Sequence, residues 1–220
     1  MKTEEKITKA RASLVLTAPF FASLALKMKL VDDPTCKTMW IDGISMGYNP
    51  KFIEPLPLEQ VKGLICHEVM HVACHHNTRR GERNFQNWNI ACDYAIDPIV
   101  KNAGFVQPWE SINPQYHNWE AEKIFKDLLQ NSKDDDRKND NTQTDKHPPG
   151  GFGEVLDYPG KNGGKASAAE KRQAEQEQKI AIKQAAQIAK LKEPCRNPWN
   201  DSSTKSRSPK FPGAKYWRDS

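Results

Sequence analysis

Apolar residues recur at three- and four-residue intervals along much of this chain, the period of a helix with one buried face. In Glu4–Leu30 that face is Ile7, Ala10, Leu14 and Leu16. Pro19 predicts a break after Ala18, because proline lacks an amide hydrogen and clashes with the preceding turn; Phe20–Leu30 then resumes as a second helical piece. Thr38–Tyr48 changes period. Two short apolar runs flank Asp42-Gly43, a hairpin signal, and Asn49-Pro50 ends the second strand. Leu58–Asn77 predicts one long helix with Leu64, Ile65, Val69, Met70, Val72 and Ala73 as an apolar surround. Asn87–Lys101 predicts another, carrying Ala91, Ala95, Ile96 and Ile99, and Trp119–Leu129 a short amphipathic one. The pattern fails at Asn131–Lys146, almost wholly Asp, Lys, Asn, Gln, Ser and Thr, which cannot bury a core and predicts disorder. Pro148–Gly164 is rich in Gly and Pro, with an apolar patch at Phe152, Val155 and Leu156 that can dock back on the domain. Ser167–Lys192 is helical in composition, and from Glu193 onward apolar residues have no period.

The pattern therefore predicts an α+β domain over residues 1–130, with a small antiparallel sheet beside the helices. A low-complexity linker (131–165), a helical arm (166–192) and a disordered basic tail (193–220) follow. Composition agrees: 37% apolar residues and a mean hydropathy of −0.81 are low for 220 residues folded throughout. Of the net charge of +5, the last thirty residues carry seven Lys/Arg against three Asp/Glu, a surplus of four. That is a basic tail whose aromatics are scattered without a period, not an aromatic-and-basic module, so nucleic acid is not the expected partner. Five cysteines (Cys36, Cys66, Cys74, Cys92, Cys195) form no C-x-x-C pair and predict free thiols in a reducing compartment. The start of the chain has no ordered signal-peptide regions, and the longest apolar stretch, Ala18–Leu26, is too short to span a bilayer. The expectation is a cytoplasmic protein that does not enter the membrane.

The chemistry lies in Ile65–His76. His67-Glu68-Val69-Met70-His71 is an H-E-x-x-H pattern. On a helix the two histidines sit one turn apart on one face, where both can reach a single ion, and Zn²⁺ suits two imidazoles plus a third ligand. Glu68 can take a proton from water at the ion without ligating it. The competing reading is a buried core helix with two satisfied histidines. For the third ligand, Glu82 lies in a polar connection, where a carboxylate needs no metal to explain it. Asp93 lies in an apolar helical run, where a carboxylate is costly unless paired or ligating, and Asp97, one turn on, is the reserve. His75 is ~12 Å along the axis from His67, too far to share its ion. His76 is expected to hydrogen-bond beside the site. Tyr48, Tyr94 and Arg80 are unranked candidates for stabilising an oxyanion. The strand before the helix either holds an extended peptide by main-chain pairing or simply roofs the core.

The run HEVMHVACHHNTRRGERNFQNWNIACDYAID resembles the putative metallopeptidase domain of bacteria and phages, which often stands upstream of a von Willebrand factor A-like domain. The shared features are His67, Glu68 and His71, then His76, Arg79 and Arg80, then Trp88, Asn89, Ala91, Asp93 and Ile96. IDGISMGYNP, GGFGEVLDYPG and QAAQIAK are similar to other segments of that family. The resemblance covers roughly residues 5–192 and stops after Lys192, with no von Willebrand-type segment behind it. It implies a zincin-like fold and zinc-dependent peptide hydrolysis, with His67, His71 and Asp93 as ligands and Glu68 as base. The expected partner is a peptide or protein substrate. The rival is a non-catalytic, metal-stabilised adaptor of a phage or bacterium, working through the helical arm. A structural zinc is closed by four protein ligands, and the absence of an obvious fourth favours catalysis.

Overall fold

The computed structural model describes residues 2–109, 113–135, 153–161 and 164–192. Helix α1 (Thr3–Thr17) buries Ile7, Ala10 and Leu14, a stripe at helical spacing. Pro19 stands at the first turn of α2 (Pro19–Ala25), where its missing amide hydrogen costs nothing. The second helix is shorter than its pattern predicts: Lys29–Asp32 is strand β1. Leu30-Val31 followed by Asp32-Asp33-Pro34 offers no further helical face, and Lys29 N–H is taken by Ile44 O at 3.0 Å.

Strands β2 (Met39–Ile41) and β3 (Ser45–Tyr48) form the expected hairpin. Its turn is tied by Asp42 Oδ1, which accepts from Ile44 N–H at 2.7 Å and Ser45 N–H at 2.6 Å, an Asx arrangement. The short helix α3 (Pro50–Ile53) leads to α4 (Leu58–Ala73), which carries the H-E-x-x-H. Among its residues Val61, Leu64, Ile65, Cys66, Val69, Met70, Val72 and Ala73 are all buried, so α4 is apolar nearly all round and lies inside the molecule. It packs against α1, α2, the sheet, α6 (Phe85–Asn102) and α8 (Ala168–Lys192). Helix α5 (His76–Arg79) lies between α4 and α6, and α7 (Ala121–Asp135) packs Ile124 and Phe125 against α6.

The molecule is α+β, but the sheet is mixed where an antiparallel one was expected. Its order is β1-β3-β2-β4, with β4 at Gly153–Val155. Only the hairpin pair is antiparallel; β1 runs parallel to β3 and β4 parallel to β2. A tight turn forces antiparallel pairing, whereas strands brought together by long connections are free to pair in parallel. Nor is the stretch 131–165 a linker throughout. Glu154 and Val155 pair with Trp40 and Ile41, and Val155 is buried. The arm is docked as well. Helix α8 opens with a reciprocal cap between Ser167 and Glu170 and buries Ala174, Ile182 and Ala185, packing along α2. The expected disorder across 136–146 and 193–220 falls outside the described residues.

Candidate metal centre

Helix α4 does not run through Asn77 as its pattern predicts. It stops at Ala73, and His75 takes the left-handed conformation (φ 56°) before α5 begins. In a continuous helix His76 would stand roughly 140° around the axis from His71, out of reach. The reversal at His75 instead turns His76 back beneath it, and the Nδ1 atoms of His71 and His76 are 3.1 Å apart in a hydrogen bond.

The opposite side of the His71 ring faces the expected constellation. His67 Nε2 and His71 Nε2 are 3.1 Å apart, and Asp93 Oδ1, from α6, is 3.4 Å from the first and 3.2 Å from the second. All three residues are buried, and together they form a group able to hold a metal ion. Three pairwise contacts cannot all be satisfied by the few protons these atoms carry, and Asp93 Oδ1 accepts no conventional hydrogen bond.

Asp97 sits one turn beyond Asp93 on α6 but faces the other nitrogen. His67 Nδ1–H donates to Asp97 Oδ1 at 2.9 Å, which fixes the tautomer that leaves Nε2 directed at Asp93 and His71. The same carboxylate oxygen accepts from Gln107 Nε2 at 2.9 Å, and Trp109 meets the His67 ring edge-on at 5.5 Å. Burial alone would push His67 down, but the Asp93 and Asp97 carboxylates outweigh it and hold the imidazole well above its ordinary range. His71 is lowered by burial, and His76 well below the ordinary range by burial and the neighbouring histidines and Arg79.

Glu68 is buried with neither carboxylate oxygen hydrogen-bonded by the protein. Burial pushes its pKa up to about 8. The wall over it is β4: a Cβ at Gly153 would lie 2.4 Å from Glu68 Oε1, so only glycine lets this strand pass so close. Asn89, on α6, pins the strand. Its Nδ2 donates to Gly153 O at 2.7 Å, and its Oδ1 accepts from Val155 N–H at 2.8 Å.

Arg80 is committed to Asp157, with Nε 2.8 Å from Oδ1 and a second bond from Nη2, and it also donates to Arg83 O. Tyr48 is buried on β3; burial, with Asp32 and Glu4 nearby, raises its phenol. Tyr94 packs on Tyr116 with ring centres 4.9 Å apart; burial, then Asp97, raises its phenol. Glu82 is exposed beside Lys165. Neither hairpin strand presents a free edge for a peptide, since β3 lies between β1 and β2, and β2 between β3 and β4. Gln107 and Trp109 carried no signal in the sequence pattern, because nothing local says which distant loop will cover a helix; Gly153 lay in the family-like segment GGFGEVLDYPG, which did not tie it to the site.

The sequence model of the family described as "Putative metallopeptidase domain" matches residues 2–210. The chain belongs to this family. The match runs past Lys192, further than the resemblance in the motifs extended. This metallopeptidase-family chain is also 29% identical over 133 residues to a Thermotoga maritima protein described as uncharacterized; the match covers 57% of this chain and 34% of the relative. It thus spans about a third of that relative's length. No solved structure matches the family member described here. Among its described residues no helix is long and apolar enough to cross a membrane, and Cys36, Cys66, Cys74 and Cys92 are free thiols.

Proposed function

We propose that this protein is a zinc-dependent metallopeptidase with a zincin-like site, in which His67, His71 and Asp93 hold the ion and Glu68 is the general base. One observation carries the reading. Donors ~2.0–2.2 Å from a tetrahedral zinc lie roughly 3.3–3.6 Å from one another. The three donor atoms here are separated by 3.1, 3.2 and 3.4 Å, so a small outward relaxation accommodates the ion. Two imidazoles and one carboxylate are also the donor chemistry of hydrolytic zinc sites, which leave a fourth position open. When bound, zinc supplies Lewis-acid polarisation of a carbonyl and of water.

The chain's own residues do the rest. Asp97 holds His67 in the tautomer that presents Nε2, and His76 does the same for His71. Glu68, raised to about 8 in its dry setting, is drawn back toward its ionised form once a cation is held beside it, which brings it near the working pH of a general base. It accepts a proton from the attacking water and delivers it to the leaving amine. Gly153 keeps water from solvating that carboxylate from the sheet side.

Glu68→Gln tests the assignment, because glutamine is nearly isosteric and cannot accept the proton. The variant keeps stoichiometric zinc by elemental analysis and loses hydrolysis of a peptide library. Loss of zinc would mean that Glu68 is a ligand, and undiminished cleavage would remove it as base.

A further inference from the structure

Among the described residues, His71 is the one ring shared by two donor groups. Its Nε2 points to His67 and Asp93; its Nδ1 meets His76 Nδ1 at 3.1 Å. On that second side Cys92 completes a group: donor atoms of His71, His76 and Cys92 all lie within 4.8 Å of one another, and all three residues are buried. The group is built by the same devices as the first. The left-handed turn at His75 returns His76 to His71, and α6 supplies Cys92 from the position before Asp93, so one helix feeds a ligand to each side. Trp88 locks the far wall, with its indole N–H donating to His76 O at 3.2 Å and its ring packed on His76 at 6.0 Å.

We infer that His71, His76 and Cys92 form a second metal site, which takes a thiophilic divalent cation and shares His71 with the hydrolytic site through the ring's other nitrogen. The donor set decides the class of ion. Two imidazoles and a thiolate favour zinc, cadmium or cobalt(II) over magnesium or calcium, which take oxygen ligands. Filling the site displaces the Cys92 S–H proton and the one proton shared between the two Nδ1 atoms, and leaves His71 as a bridging imidazolate. Losing those protons makes this the weaker of the two sites, so it fills after the first. The inference does not depend on the hydrolytic reading, since a cation can occupy this group whatever the first one does.

Cobalt(II) titration of the full-length protein tests it, because a thiolate ligand produces a sulfur-to-cobalt charge-transfer band that imidazole and carboxylate ligands do not. The expected result is two cobalt ions per chain by equilibrium dialysis, with the band growing in as the second binds. Cys92→Ser abolishes the band and leaves one ion; Asp93→Asn keeps the band. Saturation at one ion without the band overturns the inference and leaves the hydrolytic site standing. One ion with the band overturns the sharing of His71 and the order of filling, since the Cys92 group is then occupied while the first group is empty. A band that persists in Cys92→Ser also overturns the inference, since the thiolate then comes from another cysteine.

Discussion

Asp93 and Asp97 are one helical turn apart and chemically identical, yet they do different things. Asp93 Oδ1 faces two imidazole Nε2 atoms, whereas Asp97 Oδ1 takes the hydrogen of His67 Nδ1 and of Gln107. Asp93→Ala is therefore expected to weaken zinc about as much as His71→Ala, in competition with a chelator. Asp97→Asn should cost roughly 10–100-fold, the usual effect of a group that only orients a ligand. Glu82→Ala should change nothing. Glu68 makes a pH prediction. Its folded pKa of about 8 lies above the ordinary value of 4.5, so between those limits the folded chain binds more protons than the unfolded one, and stability falls as pH rises. In the metal-free protein Glu68→Gln should raise the melting temperature more at pH 8 than at pH 5, by up to a few kcal/mol of stability. An equal gain at both would show that the carboxylate is not buried as described.

At the scale of elements, what the chain shows locally and what it hides separate cleanly. Helix α4 and helix α6 were legible because apolar residues repeat around them, and Pro19 and Asp42-Gly43 mark breaks by chemistry that acts within a few residues. The break after Ala73 was not legible: Cys74-His75 carries no glycine or proline, and it is tertiary packing that holds His75 in the left-handed region. Nor was the approach of the Phe105–Trp109 loop to α4. That approach depends on Gly63, one turn before His67, where a Cβ would stand 2.0 Å from Val106 O. Gly63→Ala should push the loop away, withdrawing Gln107 and Trp109 from Asp97 and His67. The expected outcome is lower stability by about 1–3 kcal/mol in denaturant unfolding, with weakened zinc affinity although residue 63 touches no ligand. Unchanged affinity would mean that the loop does not position His67.

For the whole molecule, low-complexity composition made Asn131–Lys146 read as the end of the domain, and the apolar patch at Phe152, Val155 and Leu156 said that the chain can dock back beyond it but not that it pairs as a strand. With β4 in the sheet and α8 along α2, the two sides of that run belong to one body. A protease site engineered between residues 136 and 146 should yield, after cleavage, two fragments that co-elute in gel filtration and separate only in denaturant. Independent elution under native conditions would restore the boundary near Gln130.

The passage of Gly153 over Glu68 also sets an order in time. The last of the proposed ligands along the chain is Asp93 on α6. The strand that covers Glu68 begins sixty residues further on, at Gly153, and it supplies both partners of the Asn89 amide. During synthesis that cover can close over Glu68 only after Gly153 has emerged, later than every proposed ligand.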